Sequence, residues 1–260
     1  ILTSRVIDRP MRPLFPKDYR NDVVLNNLVM SVDPDCAPEL TAMLGSALAT
    51  CISDIPFDGP VAMTQVGMVN GEFVFNPTEE QKLASDLTLT VASTPEKVIM
   101  IEAGAKEIPE DKMIEAIYKA HDLNCEINRF FAQIIAEVGK AKHEYESHVI
   151  PEEVMNAIIE LVPQADMEDA VFSDEKQVRD ANISQIKDML NEKFAESHED
   201  FIQFIDEAGY AYQKKTVRKM ILKDHKRPDG RAIDQIRPLS AEVDILPRAH
   251  GSGMFTRGQT

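Results

Sequence analysis

The stretch that decides the fold is VAMTQVGMVNGEFVF, residues 61–75. Its two apolar runs flank Asn70-Gly71, a dipeptide that in this setting is typical of a tight β-hairpin. Further along, residues 87–91 alternate apolar and polar side chains, which predicts a strand with one solvated face. Residues 98–101 are apolar throughout and predict another strand, in a central position. We therefore expect a β-sheet in the first half of the chain.

Helices are predicted on both sides of this sheet in sequence. Residues 23–32, rich in Val and Leu, first predict a buried strand. From Asp35 onward, apolar residues then recur at helical spacing as far as Cys51. After the sheet, apolar residues from Met113 to Val138 recur at alternating spacings of four and three. That pattern fits a coiled-coil seam, but a single helix across the sheet is favoured because uncovered strands would expose their apolar face.

The second half of the chain loses the strand signals. Residues 140–151 are polar, end at a proline and are interpreted as a linker. Three amphipathic stripes follow, beginning at Val154, Val178 and Phe201, and such helices with short connections predict a small all-α domain. A β-rich pattern resumes at residues 242–246. The order of elements predicts an α+β fold with a helical domain between two β-containing regions.

The composition indicates a soluble globular protein of one or two domains, with 260 residues, 43% hydrophobic and 28% charged. No apolar run approaches the ~20 residues of a membrane span, so no membrane association is expected. The cysteines are an odd set without Cys-x-x-Cys spacing, which argues against a disulfide framework and a zinc site. Buried, reduced thiols in the cytoplasm are the favoured interpretation of Cys36, Cys51 and Cys125.

The net charge of −16 conceals strong local differences. Residues 1–20 hold five cations against two anions, and residues 214–231 hold eight against two. Residues 152–200 hold 14 Asp or Glu against 4 Lys or Arg, a balance that repels phosphate. The cationic run 214–231 has two interpretations, a solvated helix end favoured by the helix dipole or a secondary RNA surface, and the first is rated higher.

An arginine-rich segment opens the chain. Arg5, Arg9 and Arg12 are spaced by four and three residues, so on a helical turn they would share one face. Guanidinium groups match phosphate geometry better than ammonium groups do. The alternative is that these arginines pair with Asp8 and other carboxylates of the fold. Spacing alone leaves both interpretations open.

This segment, residues 5–15, closely resembles the Arg-x-Ile-Asp-Arg-Pro-x-Arg-Pro-Leu-Phe segment of bacterial polynucleotide phosphorylases. A second resemblance lies in Arg-Pro-Asp-Gly-Arg at 227–231, in Ile-Arg-Pro-Leu at 236–239 and in residues 246–260. The resemblance implies the C-terminal part of a first ribonuclease PH-like core at 1–142. It implies an all-α helical domain at 143–224 and the start of a second such core at 225–260.

The family resemblance also implies a function. Polynucleotide phosphorylases are phosphorolytic 3′-to-5′ exoribonucleases that degrade single-stranded mRNA with inorganic phosphate and release nucleoside diphosphates. It implies Mg²⁺ or Mn²⁺ as cofactor, a cytoplasmic homotrimer and participation in an RNA-degradation assembly. The arginines of the matching segment are associated with the RNA path, so Arg5, Arg9 and Arg12 are the implied RNA-binding residues.

The resemblance places the catalytic groups and the metal site in the second core, beyond Thr260. On the strand of the first core that corresponds to an Asp- and Lys-bearing strand of the active core, this chain has Thr88 and Thr90. Threonine replaces neither a metal-binding carboxylate nor a phosphate-binding ammonium group. We therefore expect the 260-residue chain alone to be inactive. The alternative function is a non-catalytic RNA-binding or ring-scaffold module.

Overall fold

A four-stranded antiparallel sheet lies at the centre of the first half of the protein, in the order β2-β1-β3-β4. The structure, a computed structural model, describes residues 2–260 and divides into two units on either side of the His148–Val149 bond. The first unit contains α1 (Leu2–Met11), a 3-10 turn (Arg12–Leu14), α2 (Pro38–Ile52), β1 (Ala62–Val69), β2 (Glu72–Phe75), α3 (Glu79–Ala84), β3 (Leu87–Ser93), β4 (Val98–Ala105) and α4 (Glu110–Val138).

The predicted hairpin is confirmed. β1 pairs with β2 across Asn70 and Gly71, which both have positive φ, 53° and 81°. A two-residue hairpin turn of this kind needs positive φ at both positions, and Asn-Gly tolerates it best. The turn therefore fixes the register in which Val69 faces Glu72.

Helices cover both faces of the sheet. The single helix predicted after the sheet is α4, which packs on the face bearing Leu87, Leu89 and Val91. On the other face, α1 and α2 bury a second cluster that includes Met63 and Met100. The first unit is thus a helix–sheet–helix sandwich, and the α+β class predicted from the sequence is confirmed.

Two predictions about strands were wrong, one in the position of the strand and one in its existence. Residues 98–101 do form β4, but β4 is an edge strand that pairs only with β3 among the described residues. Its apolar character reflects helices on both faces: Val98 packs beneath α4 and Met100 beneath α2. Residues 23–32 form no strand, and Leu28 and Met30 are 85% and 90% exposed. No described strand pairs with that segment, so its apolar side chains are not packed within a sheet.

A buried polar network fixes α4 on the sheet. Asn124 of α4 is fully buried and accepts a hydrogen bond from Thr64 Oγ1 at 2.8 Å. Its amide nitrogen donates to the Val91 carbonyl and to Ser93 Oγ, both at 3.0 Å. Because buried polar groups are costly unless satisfied, this network selects one position of the helix along the strands.

The segment after α4 is tied back to the first unit. The Lys142 ammonium group donates to the carbonyl oxygens of Thr50, Cys51 and Ser53 at 3.2, 2.9 and 2.8 Å. These are the orphan acceptors at the end of α2, where a cation is also favoured by the helix dipole. Lys140 N donates to the Ile52 carbonyl at 3.0 Å. The predicted linker is therefore free of helix and strand but not free of contacts.

The second unit is mainly helical. It contains α5 (Glu152–Leu161), α6 (Gln164–Val171), α7 (Lys176–Ser197), a 3-10 turn (Glu199–Phe204), α8 (Ile205–Leu222), β5 (Leu239–Val243) and β6 (Gly253–Arg257). The helices surround an apolar core centred on Ile158, Leu190 and Phe194. The short helix α6 was not predicted, because its apolar residues are few and lie among carboxylates. β5 and β6 pair as an antiparallel hairpin.

The three cysteines are free thiols, but only Cys51 is buried, whereas Cys36 is exposed and Cys125 is half-buried. Burial raises the pKa of the Cys51 thiol to about 11. The prediction of three buried thiols was therefore correct for one residue.

No helix within residues 2–260 combines the length and the apolar character that crossing a membrane requires.

Candidate nucleic-acid interface

Helix α1 is held by its apolar side. Met11 is 1% exposed and lies in the cluster shared with α2, and Val6 and Ile7 pack partly against it. Beyond the helix, the Phe15 ring lies 5.0 Å from the Phe57 ring. These apolar residues anchor the segment to the first unit. The opposite side of α1 is left to solvent.

That solvent side carries the three predicted RNA-binding arginines, each in a different environment. Arg9 Nη1 lies 2.5 Å from Glu102 Oε2 on β4. Arg12 donates to Asp8 through Nε at 3.1 Å and Nη2 at 2.5 Å, and this hydrogen-bonded carboxylate raises the pKa of Arg12. Arg5 is exposed, and its side chain makes no hydrogen bond or ion pair with any other residue in 2–260.

Both interpretations of the arginine face are thus represented in one segment, α1 and the 3-10 turn that follows it. The side chains of Arg9 and Glu102 are 40% and 58% exposed, and those of Arg12 and Asp8 are 77% and 46% exposed. Exposed ion pairs contribute less than about 1 kcal/mol, so a phosphate group is able to displace either carboxylate. The arginines are therefore partly neutralised within the fold yet open to an anionic ligand.

The Arg9–Glu102 pair connects α1 to the sheet face that carries Thr88 and Thr90. In the strand register Glu102 lies opposite Thr90, and Gln65 lies on the other side of Thr90. Residues directly opposite in antiparallel strands project from the same face. The face beside Arg9 thus presents hydroxyl, amide and carboxylate groups. Within residues 2–260, no group of three or more His, Cys, Asp or Glu side chains has the arrangement of a metal site.

Asp18, which with Asp8 makes up the two anions of residues 1–20, is bound by the segment after α4. Ser147 Oγ and Tyr145 Oη donate to its two oxygens at 2.5 and 3.0 Å, and the Ser147 hydrogen bond is the main cause of the lowered pKa of Asp18. Tyr19 lies beside it, with its hydroxyl 3.2 Å from His143 Nε2. Sequence reasoning missed this contact and Glu102, because partners about a hundred residues apart leave no local spacing signal.

A groove of about 1200 Å³ runs beside α1, between the helix and the exposed segment 19–29. Arg12 and Lys17 line it, whereas Arg5 and Arg9 do not. Carboxylates also line it, namely Asp8, Asp22 and Glu39. Mixed charge of this kind is a poor match to a phosphate backbone, so the outer face of α1 is the better candidate for nucleic acid.

Comparison with protein families matches both units. The family model described as "3' exoribonuclease family, domain 2" matches residues 59–122, which contain the sheet and the first half of α4. The model described as "Polyribonucleotide nucleotidyltransferase, RNA binding domain" matches residues 153–232, which contain the helices of the second unit. Both matches agree with the architecture described above.

Individual relatives match over the whole chain. A polyribonucleotide nucleotidyltransferase of Lachnoclostridium phytofermentans is 71% identical over 260 residues, and one of Ruminiclostridium cellulolyticum is 50% identical over 260 residues. A relative with the same name from Bacillus velezensis is 47% identical over 262 residues. The chain spans 37% of the length of each of these curated relatives. By sequence and by fold, the chain belongs to the polyribonucleotide nucleotidyltransferase family.

Proposed function

We propose that the protein containing this chain is a phosphorolytic 3′-to-5′ exoribonuclease that degrades single-stranded mRNA, and that this region guides the RNA. The observation that carries the proposal is the 71% identity over the whole chain to a protein named polyribonucleotide nucleotidyltransferase. The outer face of α1 supports the second part. It presents the guanidinium groups of Arg5 and Arg9, and Arg12 follows in the 3-10 turn. Arg5 makes no ion pair within residues 2–260.

In the proposed reaction an oxygen of inorganic phosphate attacks the phosphorus of the last phosphodiester. The bond from that phosphorus to the 3′ oxygen of the preceding nucleotide breaks, and a nucleoside diphosphate leaves. The freed 3′ oxygen takes up a proton and becomes the new RNA end. Arg5, Arg9 and Arg12 would hold backbone phosphates during this process, and sequence preference is expected to be slight because such contacts carry no base information.

The residues of this chain do not fit the catalytic metal. Thr88 and Thr90 offer hydroxyl groups where Mg²⁺ or Mn²⁺ prefers carboxylate oxygens. We infer that the metal and the catalytic groups belong to parts of the protein outside these 260 residues. The same resemblance supports a cytoplasmic homotrimer, with a larger RNA-degradation assembly as a further partner.

The activity is tested with two proteins, the 260-residue chain and the full reading frame that contains it. With poly(A), Mg²⁺ and inorganic phosphate, the full protein is expected to release ADP and the 260-residue chain is expected to release none. ADP release by the chain alone would show that its threonine-bearing core is catalytic. Failure of the full protein would favour the alternative function, a non-catalytic RNA-binding or ring-scaffold module.

The RNA role of α1 is tested by replacing Arg5, Arg9 and Arg12 with alanine in the full protein. Three lost phosphate contacts should lower the slope of log affinity against log salt by about 2 for single-stranded RNA. The matched control replaces Lys82, Lys106 and Lys112, which pair with carboxylates elsewhere in the first unit. If the salt slope is the same in both variants, the α1 arginines do not contact RNA phosphates and their role is structural.

A further inference from the structure

We propose that the outer face of α8 is a second contact surface for the phosphate backbone of single-stranded RNA. This α8 face consists of Tyr210, Lys214, Lys215 and Arg218. The inference rests on the proposed function, since it assumes that RNA is the anionic ligand of the protein. The family model that matches residues 153–232 is described as an RNA binding domain, and the inference goes further by assigning the contact to one face of one helix.

The α8 face points away from the core. Ala208, Tyr212, Thr216 and Met220 recur every four residues and are buried. Tyr210, Lys214 and Arg218 also recur every four residues, offset by two from the buried set. With 3.6 residues per turn, an offset of two places them on the opposite side of the helix. The rise of 1.5 Å per residue sets Lys214 and Arg218 about 6 Å apart along the axis.

The cations of this face lack carboxylate partners. Residues 208–223 hold five Lys or Arg and no Asp or Glu. Within the described residues Lys219 is the one of these cations that pairs with a carboxylate, Glu168 at 3.0 Å, and it is half-buried. Lys214, Lys215 and Arg218 are exposed and make no side-chain hydrogen bond or ion pair with the rest of residues 2–260. Their mutual repulsion is therefore unrelieved within the described structure.

The helix dipole does not account for this placement. Cations are favoured at a helix C-terminus, but the effect falls off within the last turn. The last turn of α8 ends at Leu222 and contains Lys219 as its basic residue. Lys214 and Lys215 lie about two turns before the end of the helix, and Arg218 lies just before the last turn. The solvated helix end, which the sequence had favoured, thus explains Lys219 but not the other three.

The face also carries an exposed aromatic ring. Tyr210 is 65% exposed, whereas Tyr212 is buried and its hydroxyl donates to the Val162 carbonyl at 3.1 Å. An exposed ring among unpaired cations is the combination with which proteins bind single strands, stacking a base while the cations hold phosphates. The acidic residues of 152–200 in the same unit would repel RNA, which favours this cationic face as its place of contact.

The test measures binding of fluorescein-labelled single-stranded oligo(A) to the 260-residue chain by anisotropy, between about 50 and 200 mM salt. The variant changes Lys214, Lys215 and Arg218 to glutamine. The matched control changes three cations of α7 in the same unit to glutamine, namely Lys176, Lys187 and Lys193. The α8 variant is expected to lower the salt slope by about 2, and the control is expected to leave it unchanged. Circular dichroism establishes that both variants are folded.

A second pair of variants separates stacking from charge. Tyr210→Ala is expected to weaken binding by about fivefold or more, and Tyr210→Phe, which keeps the ring, is expected to bind like the unmodified chain. An unchanged salt slope in the α8 variant, or no oligo(A) binding by the unmodified chain, would overturn this inference. Neither result bears on ADP release by the full protein, so the proposed activity stands or falls separately.

Discussion

Helices α1 and α8 both present a row of cations to solvent, but the fold treats the two rows differently. On α1, Arg9 and Arg12 meet the carboxylates of Glu102 and Asp8. On α8, Lys214, Lys215 and Arg218 meet none within residues 2–260. The sequence gives the two rows similar charge and spacing. The difference arises from tertiary structure, since Glu102 reaches Arg9 from a strand 93 positions away.

This difference shows that local charge density alone does not predict which of two cationic surfaces binds RNA more strongly. A paired arginine is already oriented, because its carboxylate holds the guanidinium plane, but RNA must displace that carboxylate. An unpaired lysine needs no displacement but loses more side-chain freedom on binding. The two helices therefore predict different responses to mutation.

The largest effect is expected when both rows are removed together. Changing Arg5, Arg9 and Arg12 to alanine along with Lys214, Lys215 and Arg218 to glutamine removes all six of the proposed phosphate contacts. The salt slope for oligo(A) should fall by about 4, with a loss of affinity of about a thousandfold at low salt. Anisotropy titrations of the 260-residue chain measure this. If the sixfold variant loses no more than either threefold variant, the rows do not act as two surfaces.

The next largest effect, on stability, is expected from the buried methionines that hold the two helices in their cores. Met11 of α1 and Met220 of α8 are 1% and 2% exposed in separate cores. Truncating either to alanine should destabilise its own unit by about 2–5 kcal/mol, because a buried methionine leaves a cavity. Hydrogen exchange in urea, followed for each unit, measures this. Equal destabilisation of both units by one substitution would contradict the conclusion that the two cores are separate.

A smaller effect tests the carboxylate of the α1 row. Glu102→Gln removes the charge that pairs with Arg9 and makes α1 more like α8. RNA affinity should rise by up to about fivefold, the upper range for an exposed ion pair. Glu126→Gln removes an equal charge from the exposed side of α4 and serves as the control. Weaker binding after Glu102→Gln would mean that orientation of Arg9 outweighs competition for it.

The smallest effect concerns the one paired cation of α8. The hydrogen bond from Lys219, followed by one from Gln164, lowers the pKa of Glu168 below its ordinary 4.5. A carboxylate with a lowered pKa stabilises the fold above its ordinary pKa, and this contribution is lost as pH falls through the lowered value. Glu168→Gln should therefore make the Tm of the second unit fall less steeply below about pH 4.5.

The control for this pH experiment is Glu160→Gln, because the Glu160 carboxylate makes no ion pair or side-chain hydrogen bond within the described residues. That variant should follow the unmodified chain at every pH. An identical pH dependence in Glu168→Gln would show that the Lys219 pair contributes nothing to stability.

Features set by local interactions were predictable from the sequence. The hairpin at Asn70-Gly71 follows from backbone geometry, and α4 follows from a repeating apolar pattern that only a helix satisfies. The arginine face of α1 was predicted for the same reason, and its RNA role stays a proposal. The order of the regions, a helical domain between two β-containing regions, also followed from periodicity, and the family motifs then identified what those regions are.

Features set by distant partners were not predictable. Residues 23–32 carry a strand pattern, yet a strand forms only where another strand completes its hydrogen bonds. The edge position of β4 depends on what lies beside it, and the apolar pattern reports only what lies above and below. The Glu102 contact with Arg9 and the Tyr145 contact with Asp18 join residues with no spacing relation at all.

The lysine that caps α2 has a consequence for proteolysis. A protease needs backbone that it can draw out and bind in extended form, and such backbone is found where native hydrogen bonds are few. Residues 140–147 lack helix and strand, but bonds from Lys140, Lys142, Tyr145 and Ser147 hold them against the first unit. The first cleavage between the two units should therefore not fall within residues 140–147. The amino-terminal product would then keep these residues as its carboxyl-terminal segment, hydrogen-bonded to the rest of the first unit.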